Sequence, residues 1–186
     1  MRLRLLTIAV LAVGSLSMIA CVDEQATDEV IIQNDKKAFE DYLTTDTLVN
    51  VKEVYDEVTG LRVIWQELSA SVDTVKLGDT LTVDYTGKFL SNKVFDTSIK
   101  DVAIAAGIFN ASGKYLPMKF PLGTDPNFRL ISGFEYGISL MKKGDKATVF
   151  IPSIFAYGRQ GKGNIGPNTP LIFELDLQEV KAGPVQ

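Results

Sequence analysis

No histidine occurs anywhere in the 186 residues. That absence removes Ser-His-Asp and Cys-His nucleophilic catalysis, and the common histidine-bearing zinc sites, in one step. Cysteine occurs once, so no disulfide forms within the chain. Positive charge is short as well: 19 Lys and Arg stand against 23 Asp and Glu, a formal net charge of -4, which offers nucleic acid little to hold. Internal repeats and low-complexity tracts are missing. What is present is apolar: hydrophobic residues make up 46% of the chain, enough for a sizeable core and too many for disorder. The length suits one domain with appendages.

The start of the chain has two arginines, Arg2 and Arg4, then an apolar run, then small residues, the pattern of a secretory signal. The run from Leu5 to Val13, extended through Ala20, is borderline for a membrane span, so a signal anchor stays open as the alternative. Cys21 weighs against it. The only cysteine follows Ser17-Met18-Ile19-Ala20 and looks like a bacterial lipobox, with Met18 where Leu is more usual. Used as such, Cys21 becomes a thioether to diacylglycerol and several acyl chains hold the protein to a membrane. The expected location is then the cell envelope, on the periplasmic face or the outer membrane.

The expected organisation is a signal peptide over residues 1–20, a lipid tether and helical extension over 21–59, a folded domain over 60–181 and a short tail over 182–186. In the extension, Ile31, Asp35, Ala38, Phe39, Tyr42 and Leu43 share one helical face that is mostly apolar. Packing on the domain, pairing with a second copy and service as a stalk are the three fates open to it.

Within the domain, Leu61, Val63 and Trp65 alternate as a strand, and so do Leu81, Val83 and Tyr85, with Gly87 breaking the second locally. Val94–Ser98 returns along it. Phe134, Ile138 and Met141 fall at i, i+4 and i+7, one face of a short helix that Ser132 is placed to cap and Gly144 to end. Ala147, Val149 and Ile151 form the next strand, which Pro152 stops. Leu171, Phe173, Leu175 and Leu177 give the clearest alternation of all. Strands with one short helix predict an α+β domain, an antiparallel sheet wrapped on a helix.

The order of residue types carries more. Leu130-Ile131-x-Gly133-Phe134-Glu135, Met141-x-x-Gly144-Asp145 and Ile151-Pro152-x-x-x-Ala156-Tyr157-Gly158 resemble the FKBP-type peptidyl-prolyl isomerases, as do residues 79–98 and 165–180. The likeness covers roughly residues 60–180. It implies a curved half-barrel and catalysis of X-Pro bond rotation with no cofactor and no metal. It also implies a proline pocket lined by Tyr85, Phe95, Leu130, Ile131, Phe134, Tyr157, Ile165 and Phe173, with Met118 at a wall position that is often Phe in the family. In that pattern Phe134 is the floor, Ile131 N–H binds the substrate carbonyl before the proline, and the Tyr157 hydroxyl binds another. Asp96 orients the Tyr85 hydroxyl. Without the family pattern, the apolar members of this set read simply as core. The implied partners are proline-containing polypeptides and macrolide inhibitors. A non-catalytic module that holds proline segments is the alternative.

Residues 100–117 depart most from the family pattern, as an insertion between Asp96 and Met118. They carry Val102, Ile104, Ile108, Phe109, Tyr115 and Leu116, more apolar than surface loops usually are. Two readings stand: an apolar lip that grips unfolded clients, or extra core. The insertion and the N-terminal helix together resemble FKBP-type lipoproteins of Bacteroidota.

Overall fold

The computed structural model describes residues 27–123 and 128–183. The leader, Cys21 and the tether next to it, the loop around 124–127 and the last residues of the tail lie outside that range.

Among the described residues, seven antiparallel strands make one sheet. They are β1 (Lys52–Tyr55), β2 (Arg62–Glu67), β3 (Thr80–Phe89), β4 (Val94–Thr97), β5 (Met118–Pro121), β6 (Lys146–Ile151) and β7 (Leu171–Lys181). The order across the sheet is β1-β2-β6-β7-β3-β4. One edge of β3 is divided: β5 pairs with Thr80–Val83 and β4 with Thr86–Lys88. Between the two, Ser98 completes the edge, its N–H donating to Tyr85 O at 3.0 Å and its hydroxyl accepting Tyr85 N–H at 2.9 Å. The inserted segment thus leaves and re-enters the sheet on either side of Tyr85. It opens with a short helix, α2 (Lys100–Ala105), whose Ala103 is fully buried.

Alternation along the strands sends Val63, Trp65, Leu81, Val83, Ala147, Val149, Ile151, Leu171, Phe173, Leu175 and Leu177 to one face. Onto that face packs α3 (Ser132–Ser139), through Phe134 and Ile138. The helix lies very close: a Cβ on Gly133 would stand 2.3 Å from Ile151 Cγ2, and one on Gly137 2.5 Å from Val149 Cγ2. Only glycine permits that approach.

The other face is covered as well. The first helix, α1 (Asp28–Thr45), begins where Thr27 Oγ1 accepts Val30 N–H at 3.4 Å, with Asp28 and Glu29 in a first turn that favours acids. Its Phe39 packs on Ile64, Phe150 and Ile172, with the Phe39 and Phe150 rings edge-on at 5.4 Å. Of the three fates open to this helix, packing on the domain is the one observed. It explains why β6 is buried on both faces rather than one. The sheet also starts at β1, ahead of residue 60 where the domain was expected to begin.

Two local expectations change. Ser132 does not cap α3; Ile131 is the N-cap residue, and the Ser132 hydroxyl instead donates to Phe155 O at 3.4 Å. Gly144 has the positive φ foreseen, +88°, but α3 ends earlier, at Ser139 with Leu140 as its C-cap, and the glycine serves the turn into β6. The local break expected at Gly87 is observed: β3 runs on to Phe89, but its register with β4 shifts between Gly87 and Lys88. A Cβ there would meet the Phe95 ring at 2.6 Å, so the glycine makes room for an aromatic side chain.

Candidate functional site

A pocket of about 230 Å³ opens on the face of the sheet that α3 covers, beside the start of that helix. Each element contributes by its register. From β3 comes Tyr85, from β4 Phe95 and Asp96, from β5 Met118, from β7 Phe173, and from α3 Phe134. Leu130 and Ile131 enter from the segment leading into α3, and Tyr157 from the loop after β6.

The floor is a set of rings packed edge to face. Phe134 and Phe173 lie 5.3 Å apart at 87°, Phe95 and Phe173 5.7 Å apart at 81°, and Tyr85 and Phe134 6.3 Å apart at 86°. Phe134 is 2% exposed and Phe173 5%, so the floor is dry. Such pairs hold each other by ring quadrupoles as well as by burial.

Polar groups sit at the rim. The Tyr85 hydroxyl donates to Asp96 Oδ2 at 2.9 Å. Burial, then the Asp96 charge and the bond to it, push the Tyr85 hydroxyl well above the usual tyrosine range. Tyr157 is also raised, by burial first and Asp96 second. Both phenols therefore stay neutral donors. Ile131 is extended (φ -68°, ψ 140°), and its carbonyl accepts the Phe134 and Glu135 N–H groups at 3.0 and 3.2 Å. Among the described residues, neither the Ile131 N–H nor the Tyr157 hydroxyl has a hydrogen-bond partner, so both remain available to a ligand.

All but one of the residues expected at the pocket surround it. The exception is Ile165, which is 8% exposed and belongs to the core. It packs in one cluster with the floor residues Phe134 and Phe173, and its N–H and carbonyl bridge to Lys162 at 3.0 and 2.8 Å, while Lys162 itself lines the opening. Lys162 Nζ stands 5.3 Å above the centre of the Tyr157 ring. Arg129 lines the opening too. Sequence reading passed over both cations, because a charged residue in a loop reads as solvated. The only signal was their position, Arg129 next to Leu130-Ile131 and Lys162 in the glycine-rich loop after Tyr157. No cluster of three or more metal-ligating side chains exists among the described residues.

A dry aromatic floor with a few neutral or paired donors at the rim suits a compact apolar ring with amide carbonyls on both sides. Among the described residues, no histidine, cysteine or serine lines the pocket, and the Asp96 carboxylate is engaged by the Tyr85 hydroxyl.

Residues 72–178 match the sequence family described as FKBP-type peptidyl-prolyl cis-trans isomerase. The chain is 37% identical over 105 residues to a protein of Neisseria meningitidis named probable FKBP-type peptidyl-prolyl cis-trans isomerase FkpA, covering 56% of this chain and 32% of that one. It is 38% identical over 104 residues to FK506-binding protein 2 of Yarrowia lipolytica, covering 55% and 61%. The crystal structure of FkpA from Escherichia coli superposes with a TM-score of 0.60 at 26% identity, over 84% of this chain and 62% of that one. The chain therefore spans less than two thirds of the length of each of these relatives.

Proposed function

Since this chain belongs to the FKBP-type peptidyl-prolyl cis-trans isomerase family, we propose that it catalyses X-Pro bond rotation in polypeptides and assists the folding of exported proteins. The observation that carries the reading is the pocket itself, an aromatic floor under a Tyr85–Asp96 pair and two unengaged donors.

The chemistry asks for nothing else. Rotation of a peptide bond meets a barrier of about 18–20 kcal/mol because it breaks amide resonance. X-Pro bonds take roughly tens to hundreds of seconds unaided. The twisted amide has lost charge separation, so a site that strips water from the planar form favours the twisted one. Phe95, Phe134, Phe173, Leu130 and Met118 supply that surface. The Ile131 N–H holds the carbonyl before the proline, and Tyr157 holds a second carbonyl. Asp96 fixes Tyr85 and sets the field across the ring. A reduction of about 4 kcal/mol in the barrier gives roughly a thousandfold. Met in place of a ring at position 118 makes a softer wall, which bears on rate and on the affinity for macrolides.

Attachment through Cys21 belongs to the same reading. The lone cysteine behind a small-residue cleavage site supports an envelope lipoprotein whose clients are proteins passing the membrane.

An isomerase assay on a proline tetrapeptide tests the proposal. Catalysis well above the spontaneous rate is the expected result. Binding of the peptide without rate enhancement would favour a holding module that uses the same pocket.

A further inference from the structure

Asp35 is a buried acid that the chemistry above leaves unused. It stands on α1, outside the residues that match the family, and does not line the pocket. It is 4% exposed, on the helix stripe between Ile31 and Phe39. A carboxylate there is costly unless specific bonds offset the lost water. Both of its bonds go to one residue. Asp35 Oδ2 accepts the Ser153 N–H at 2.7 Å and the Ser153 hydroxyl at 2.6 Å.

Ser153 is fully buried and opens the 3₁₀ turn after β6. Its carbonyl accepts the Ala156 N–H at 3.1 Å and the Gly158 N–H at 2.8 Å. Those are the residues on either side of Tyr157. The backbone that carries the pocket tyrosine is thus tied, through one serine, to a helix on the opposite face of the sheet. A second tie runs from Arg159 Nη2 to Asp28 Oδ1 at 2.6 Å. The Tyr157 hydroxyl has no partner of its own among the described residues, so its aim depends on this backbone.

We propose that Asp35 is a positioning residue: by gripping Ser153 it fixes the loop that aims Tyr157 into the pocket, and α1 is a working part of the site rather than a cover on the sheet. The proposal rests on the isomerase reading of the pocket for its kinetic consequence, but not for its structural one.

The test uses the full chain with Asp35→Ala, Asp35→Asn and Ser153→Ala, each alone and combined with Tyr157→Phe. The Asn carbonyl can accept both Ser153 bonds, so it is the conservative rescue. Asp35→Ala is expected to lower kcat/KM on a proline tetrapeptide by about three- to tenfold, the value of one or two hydrogen bonds. Asp35→Asn should restore most of it. In a Tyr157→Phe background the same change should cost almost nothing further, because the effect acts through Tyr157. Amide exchange at Ala156 and Gly158 should quicken in Asp35→Ala and Ser153→Ala but not in Asp35→Asn. A folded Asp35→Ala protein with unchanged kcat/KM and unchanged exchange at those two amides overturns the proposal, and so does a loss that multiplies in full with Tyr157→Phe. Where Asp35→Ala does not fold, Ser153→Ala deletes one hydroxyl only and decides by the same two measurements. A chain with no isomerase activity whose Ala156 and Gly158 exchange still responds to Asp35 keeps the coupling and removes the isomerase reading.

Discussion

The Tyr85 hydroxyl donates to Asp96 Oδ2 at 2.9 Å, joining β3 to β4 across the mouth of the pocket. The bond commits one oxygen of the Asp96 carboxylate to aiming the Tyr85 hydroxyl. Asp96→Ala should lower kcat/KM more than Tyr157→Phe does. The first leaves the Tyr85 hydroxyl unaimed and removes a charge from the rim. The second deletes one hydrogen bond worth about 0.5–1.5 kcal/mol. Peptide kinetics with a folding control by circular dichroism check this; full activity in a folded double variant would show that the pocket is not the site.

The rate should be nearly flat between about pH 6 and 8.5, the range where an ordinary histidine base would titrate. Rotation moves no obligatory proton. Tyr85 and Tyr157 are both shifted upward, so each keeps its hydroxyl hydrogen through neutrality and beyond the ordinary tyrosine range. A bell-shaped profile of kcat/KM centred in that window would point to acid–base chemistry and sink the mechanism.

Stability should carry a separate pH signature from Asp35. Its pKa is raised, by burial first, against the lowering effect of the two Ser153 bonds. With the folded value above the unfolded one, the native state binds the proton more tightly. The contribution is therefore fully present below the ordinary aspartate range and is lost as pH rises through the raised folded value. Asp35→Asn keeps the geometry without the titration. Urea unfolding of both proteins from pH 4 to 7 should show the variant gaining on the parent as pH rises, and a constant difference would remove the assignment.

Only part of the inserted segment packs down. Ala103 is fully buried, while Ile104 is 52% exposed, Phe109 44% and Leu116 68%. Replacing those three exposed residues by serine together, with Ala103 untouched, should leave tetrapeptide isomerisation largely intact and slow catalysed refolding of a proline-limited whole protein. Such patches commonly mark binding surfaces. Equal loss on both substrates would make the segment a support for the fold, and no loss on either would deny it a client role.

The parent chain should partition with membranes and into detergent, and Cys21→Ala should abolish lipid labelling. Multiple acyl chains account for firm attachment where one does not. A parent chain that carries no lipid at Cys21 returns the signal-anchor reading.

The strands were legible because apolar residues alternate. Leu171 to Leu177 and Leu81 to Tyr85 point every second side chain into one core. What alternation could not show is a second cover. Phe150 and Ile172 occupy outward positions in their strands, and α1, far away in the chain, covers them together with Leu48 and Leu90. The same distance hid the role of Asp35, which looked like a polar gap in an apolar stripe. Its partner Ser153 lies 118 residues away. At the pocket, the aromatic members could be named from the order of motifs. The place of Lys162 at the opening comes from the course of the loop after Tyr157, which residue types alone do not specify.

The divided edge of β3 has a consequence for engineering. Because β4 and β5 are each anchored independently, on Thr86–Lys88 and Thr80–Val83, the chain between them is a cassette whose length and content are decoupled from sheet register. A recognition peptide grafted in place of residues 104–116 would be displayed beside Tyr85, with Ala103 left as its anchor. The scaffold would then accept new client preferences by swapping one loop, with the hydrogen-bonded frame around the aromatic floor untouched.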